Sequence, residues 1–114
     1  MTAPRRGEIW WVDLNPTRGH EQSGRRPGLV ISDDIFNAGP AELVVVLPLT
    51  SRDKKIPLHE KIAPTEGGLA EVSYIKCEDI RSVSKKRLSA RIGMVEDRTL
   101  LAVQEKVKIL LNFS

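Results

Sequence analysis

Leu43-Val44-Val45-Val46-Leu47-Pro48-Leu49-Thr50-Ser51 is the stretch on which the fold turns. Residues 43 to 47 are apolar on both faces of any extended chain, which reads as a central strand covered on both sides. Pro48 follows, and the run ends in the hydroxyls of Thr50 and Ser51. A chain of 114 residues has room for one hydrophobic core around such a strand and is too short for two. Residues 1–114 are therefore expected to form a single domain.

Working outward, strand signals dominate on both sides. Glu8 to Leu14 is rich in Ile, Trp and Val and stops before the turn signal Asn15-Pro16. Asn15 to Arg26 has no periodicity and reads as a loop, long for a compact domain without a purpose. Leu29 to Ser32 is a second strand. Ser32-Asp33-Asp34 offers N-cap chemistry for one short helical turn ending near Gly39-Pro40. Beyond the central strand, Pro57 confines Ile56 to His59 to a sheet edge or an irregular extension. Gly67-Gly68 marks a turn. Leu69 to Cys77 reads as a half-buried strand with Ala70, Val72 and Tyr74 on one side and Glu71 and Ser73 on the other. Ile80 to Val83 and Arg91 to Met94 are further short strands. From Glu96 to Leu111 the period changes, and Leu100, Val103, Val107 and Leu110 fall on one helical face. The expected fold is mainly β with α: a small, strongly curved antiparallel sheet or barrel closed by a C-terminal helix.

Composition bounds the chemistry. Apolar residues at 40% and charged residues at 29% are ordinary for a folded chain. The net charge of +3 suits a polyanionic partner without demanding one. One cysteine, Cys77, excludes an internal disulfide and any multi-cysteine metal cluster. The N-terminal residues lack the apolar core of a secretory signal, and no apolar run reaches membrane-spanning length. No membrane association and a cytoplasmic location are expected.

Gly24-Arg25-Arg26-Pro27-Gly28-Leu29-Val30-Ile31 carries the sharpest chemical signal. It sets two guanidinium groups at a loop-to-strand junction, beside a proline that stiffens the backbone. Arginine offers a planar fork of donors to a phosphate and stays protonated at neutral pH. A rigidly held Arg can stabilise charge that builds on a phosphodiester; a solvated basic turn is the bland alternative. His20 and His59 are conceivable as an acid–base pair, or as two solvated histidines. Metal-ligand spacing, a phosphate-cradling G-x-x-x-x-G-K and a G-x-S-x-G elbow are all missing from the sequence. What remains is a site without metal or cofactor, built from Arg, a hydroxyl and loop residues. The acid-free run from Arg81 to Arg91 reads as a solvated turn between strands. Arg52, Lys54 and Lys55 follow Thr50-Ser51 closely enough to guide a phosphate backbone. Trp10 and Trp11, being adjacent in a strand, point to opposite faces.

The opening R-R-G-E-I-W-W-V-D-L-N-P-T-R-G-H-E-Q-S-G-R-R-P-G-L-V-I-S closely resembles the start of the MazF/PemK family of toxin endoribonucleases. L-P-L-T-S (47–51), E-D-I-R (78–81), K-R-L (86–88) and the final amphipathic helix recur in the same order, so the resemblance covers residues 5 to 111. It implies an SH3-like β-barrel with helices, a homodimer, and metal-independent cleavage of single-stranded RNA at short preferred sequences. It also implies a small acidic antitoxin as partner. The family's essential Arg matches Arg26 and its essential Thr matches Thr50. Glu21 and Gln22, with His20 just ahead, match loop residues bordering bound RNA. Ser51 follows the essential Thr, and Ile56 and Asp79 fall where relatives line the base-binding groove. Asp79 departs from the usual Gln, replacing a donor–acceptor amide with an acceptor, and Gly28 replaces a more usual Ala. The rivals are a toxin resembling CcdB, which poisons gyrase without cutting nucleic acid, and an RNA-binding barrel that has lost its chemistry.

Overall fold

The computed structural model describes residues 3–15 and 24–114. Seven strands form one connected sheet: β1 (Glu8–Asp13), β2 (Arg25–Val30), β3 (Leu43–Thr50), β4 (His59–Ile62), β5 (Ser73–Lys76), β6 (Arg81–Ser84) and β7 (Leu88–Met94). Two helices complete it, α1 (Asp34–Ala38) and α2 (Asp97–Leu111). The strand order is β4-β5-β3-β2-β1-β7, with β6 pairing β3 off this path. Among the described residues the pairings of these strands are all antiparallel. Among the described residues β4 and β7 do not pair, so the expected barrel is not closed. The chain is mainly β with a C-terminal helix. No helix among the described residues is long and apolar enough to cross a membrane.

The central strand is β3, and it does more than the apolar run foretells. One of its edges pairs β2 through Val46, Leu47 and Pro48. Its other edge pairs β6 through Leu43 to Val46 and then β5 through Leu49 and Thr50. Pro48 has no N–H to give, and it sits in the gap where that edge passes from β6 to β5. The strand therefore continues through the proline to Thr50 instead of stopping at Leu47. Val44 and Val46 pack in one buried cluster with Trp10, Val12, Leu14, Val30 and Leu88. Leu47 and Leu49 pack in a second with Ile9, Leu29, Ile75 and Val103. Coverage on both faces is thus real, and burial of each such side chain contributes about 1.5–3 kcal/mol.

Three local expectations are corrected. First, β2 begins at Arg25 and not Leu29, because Trp11, Val12 and Asp13 supply ladder partners for Pro27, Arg26 and Arg25. Second, the face of the 69–77 stretch is reversed: Ser73 and Ile75 are buried, while Ala70, Glu71 and Val72 are exposed. Burial of Ser73 is tolerated because its hydroxyl donates to the Glu71 carbonyl at 3.1 Å. Third, Leu110 is exposed on α2, and Thr99 and Val103 form its buried stripe, with Leu100 and Val107 partly buried.

Both helices are fixed by side chains. Asp33 caps α1, accepting from the Ile35 N–H at 2.9 Å. The Glu66 carboxylate, from a 3-10 turn before β5, accepts from the Glu96 N–H at 3.1 Å and from the Thr99 hydroxyl. It therefore serves the N-terminus of α2 from outside, where negative charge favours the helix.

Candidate active site

β2 and β3 pair as Gly28↔Pro48, Leu29↔Leu47 and Val30↔Val46. Arg26 stands two residues ahead of Gly28 on β2 and Thr50 two residues beyond Pro48 on β3, so both lie at the same end of the paired strands. Both residues line one cavity of about 200 Å³, together with Trp11, Arg25, Pro27, Leu49, Ser51, Glu71 and Ser73. Ser51 is among these lining residues. Thr50 is buried, and its hydroxyl oxygen accepts from the Arg52 N–H at 3.2 Å. That bond occupies a lone pair and leaves the hydroxyl proton available to donate.

The two adjacent arginines have different surroundings. Arg25 lies over the Trp11 ring, 4.6 Å from its centroid. Its Nε and Nη2 both reach the Ser89 hydroxyl at 3.3 Å, tying the start of β2 to β7. Arg26 is exposed and lines the cavity with Thr50. Trp10 points the opposite way from Trp11 and is buried, its indole N–H donating to Glu8 at 3.1 Å.

The approach to β2 is pinned as well. Leu14 N–H donates to the Gly24 carbonyl at 2.9 Å, and Gly24 N–H donates to the Asn15 side chain at 3.1 Å. Gly24 has φ +77°, a left-handed conformation that costs glycine little. Arg87 then clasps this neck, its Nη1 donating to the carbonyls of Asp13, at 3.2 Å, and Asn15. His20, Glu21 and Gln22 lie outside the described residues.

Ile56 and Asp79 do not line the Arg26–Thr50 cavity. The Ile56 carbonyl accepts from the His59 N–H at 2.9 Å. Asp79 faces Arg81 in a two-pronged pair, Nε to Oδ1 and Nη2 to Oδ2, each 2.9 Å, with Lys76 Nζ at 3.5 Å. Burial pushes the Asp79 carboxyl up, but the Arg81 bonds and the charges of Arg81 and Lys76 outweigh it, leaving the group below its ordinary value.

His59 is not an accessible acid or base. Its side chain is 3% exposed, and Nε2 pairs with Glu78 at 2.9 Å. Cys77 is inert for a related reason, since burial pushes its thiol up to about 12. The acid-free basic run is not a solvated turn either. Arg81 holds Asp79, Lys85 donates to the Asn37 carbonyl at 2.8 Å, Arg87 clasps the neck, and Arg91 meets Glu8 at 2.6 Å. Those cations tie the elements together.

Sequence reasoning passed over Glu71 as a residue of the site. It stands on the stretch whose face was assigned the wrong way round, beside a serine that looked solvent-facing. The useful signal was Ser73 itself: a hydroxyl that bonds its own backbone two residues back can be buried at little cost. A larger cleft of about 700 Å³ lies between β4 and the start of α2, but neither Arg26 nor Thr50 reaches it.

Known proteins match this arrangement closely. The family model for PemK-like, MazF-like toxins of type II toxin–antitoxin systems matches residues 5–111. Endoribonuclease MazF9 of Mycobacterium tuberculosis is 38% identical over 113 residues, covering 95% of this chain and 96% of its own. The crystal structure of MazF from Deinococcus radiodurans superposes with a TM-score of 0.84 at 32% identity, over 96% of this chain and 97% of that one. The MazE–MazF complex from the same organism gives a TM-score of 0.79 at 32% identity, covering 98% of both chains. With the match running through nearly all of its length, the chain belongs to the PemK-like, MazF-like toxins of type II toxin–antitoxin systems.

Proposed function

We propose that this toxin is a metal-independent endoribonuclease that cuts single-stranded RNA at short preferred sequences. The observation that supports the reading is that Arg26 and Thr50 line one shared cavity. The RNA's own 2′-hydroxyl attacks the adjacent phosphorus and expels the 5′-oxygen, a reaction that needs no activated water. Arg26 offsets the charge that builds on the phosphorane-like transition state and donates towards the leaving oxygen. Thr50 donates its hydroxyl proton to a non-bridging oxygen, a contact worth about 2–4 kcal/mol if made mainly in the transition state. Neither is a general base, since Arg stays protonated.

His20, Glu21, Gln22 and Ser51 are read as RNA-binding, and Ile56 and Asp79 as lining a base-recognition groove beside the reacting phosphate. An acidic Asp79 in place of an amide favours a base that presents an amino donor. The curved sheet is read as an SH3-like barrel that stays partly open, the whole chain as one domain, and the assembly as a cytoplasmic homodimer. A small acidic antitoxin is the expected partner, a reading supported by the MazE–MazF complex of the related protein.

The test is end-mapping of a long single-stranded RNA incubated with the protein in EDTA, beside Arg26→Ala. Discrete cuts that vanish in the variant support the assignment. Intact RNA after incubation with folded protein overturns it in favour of gyrase poisoning or silent binding.

A further inference from the structure

The transesterification needs a group to take the 2′-hydroxyl proton, and the cavity itself contains one. Of the described residues that line it, Trp11 and the arginines offer donors, Pro27 and Leu49 are apolar, and Thr50, Ser51 and Ser73 carry hydroxyls too weakly basic for the task. Glu71 alone carries a carboxylate that can accept a proton. Its side chain is exposed at the cavity.

The position of Glu71 is built and not incidental. β3 and β5 pair as Leu49↔Ile75 and Thr50↔Tyr74, so the chain just ahead of β5 runs alongside the chain just after Thr50. Ser73, buried at 6% exposure, donates its hydroxyl to the Glu71 carbonyl at 3.1 Å, and so ties residue 71 to the end of that ladder. The one cavity thus holds donors for phosphate oxygens, in Arg26 and Thr50, and an acceptor, in Glu71. An in-line attack needs both: donors on the phosphate, an acceptor on the nucleophile.

We infer that Glu71 is the general base of this endoribonuclease, an assignment that rests on the nuclease reading above. The Glu71 carboxylate takes the proton from O2′ as the O2′–P bond forms, while the P–O5′ bond breaks. Arg26 donates a proton to the departing O5′ and regains one from Glu71 through solvent. One proton thus moves from O2′ to O5′, and the products are a 2′,3′-cyclic phosphate and a 5′-hydroxyl with no net change in charge.

Glu71→Ala is the variant to test, with Glu71→Asp as its conservative partner. Affinity is read separately with an RNA carrying 2′-deoxyribose at the cut, which binds but cannot react. The expected result is a loss of about 10²–10⁴-fold in kcat, unchanged or tighter binding of the deoxy-substituted RNA, and partial restoration of cutting by added formate. Wild-type cutting by Glu71→Ala would overturn the assignment and pass the role to His20 or Glu21. A loss that formate does not restore, accompanied by weaker binding of the deoxy-substituted RNA, would overturn it too. Failure of the wild type to cut any RNA would refute the nuclease reading itself, and is distinguished by that control.

Discussion

Asp79 and Arg81, two residues apart at the entrance to β6, meet as a parallel fork with both N···O distances at 2.9 Å. The pair is well shielded, Asp79 being 15% and Arg81 11% exposed. Fork geometry of this kind combines strength with a fixed direction. It holds the Asp79 carboxylate in one orientation, whatever that carboxylate goes on to recognise.

Acid should therefore loosen the molecule in a defined window. The Asp79 carboxyl is lower in the folded chain than in the unfolded one, so its contribution is complete above the ordinary value of ~3.9 and is lost as the pH falls through the folded value. Glu8 acts in the same direction. Burial raises it, but the Arg5 N–H, Arg91 and Trp10 together hold it below its usual range. Thermal melts are expected to show Tm falling below about pH 4.5. Asp79→Asn should flatten part of that slope and cost about 1–3 kcal/mol at neutral pH. An unchanged slope in Asp79→Asn would show that the fork contributes nothing to folding.

Gly28 is held at its size by Val12. A Cβ at residue 28 would begin 2.9 Å from the Val12 Cγ2, and a β-branched side chain in a ladder cannot swing away cheaply. Gly28→Ala should lower stability by about 1 kcal/mol despite its backbone advantage. In the Val12→Ala background the same change should become neutral or stabilising. Denaturant titration of the four proteins measures that coupling, and strict additivity would exclude the contact as the cause.

A thiol probe offers a simple readout of core integrity. Cys77 is fully buried, and its thiol is pushed up to about 12. Ellman's reagent at pH 8 should find no reactive thiol in the native protein and one per chain after denaturation. Rapid labelling without denaturant would mean that the core beneath β5 opens readily.

Glu66 supplies the cap of α2 from outside the helix, so Glu66→Ala should cost about 1–2 kcal/mol through the lost bonds to Glu96 and Thr99. Its distance from the Arg26 cavity predicts wild-type kcat at temperatures where the variant is folded. A selective loss of catalysis would reveal that α2 bears on the site.

The central strand and the closing helix were legible because their signals are local: an apolar block and a change of period. Asp33 as the cap of α1 was legible in the same way. β4 was not, since His59-Glu60-Lys61-Ile62 carries one apolar residue in four and gains its pairing only from β5. The face of residues 69–77 was misread because alternation there rests on small and amphipathic side chains, and burial of Ser73 depends on a backbone bond invisible in composition. At the site, Arg26 and Thr50 were found through their motifs. That they line one cavity follows from the pairing of β2 with β3, which no single stretch of sequence contains. His59 looked accessible beside Pro57, but its partner Glu78 lies on the far side of β5 in the chain.

The proline gap in β3 also has a bearing on how the molecule assembles. Because one strand of eight residues serves three neighbours, neither β5 nor β6 can dock until β3 is placed, and both must find it from a distance along the chain. Native contacts of that kind make the folding nucleus late and non-local. A chain halted before β5 emerges would leave the Leu49–Thr50 edge of β3 unpaired and the cavity without its Glu71 and Ser73 wall.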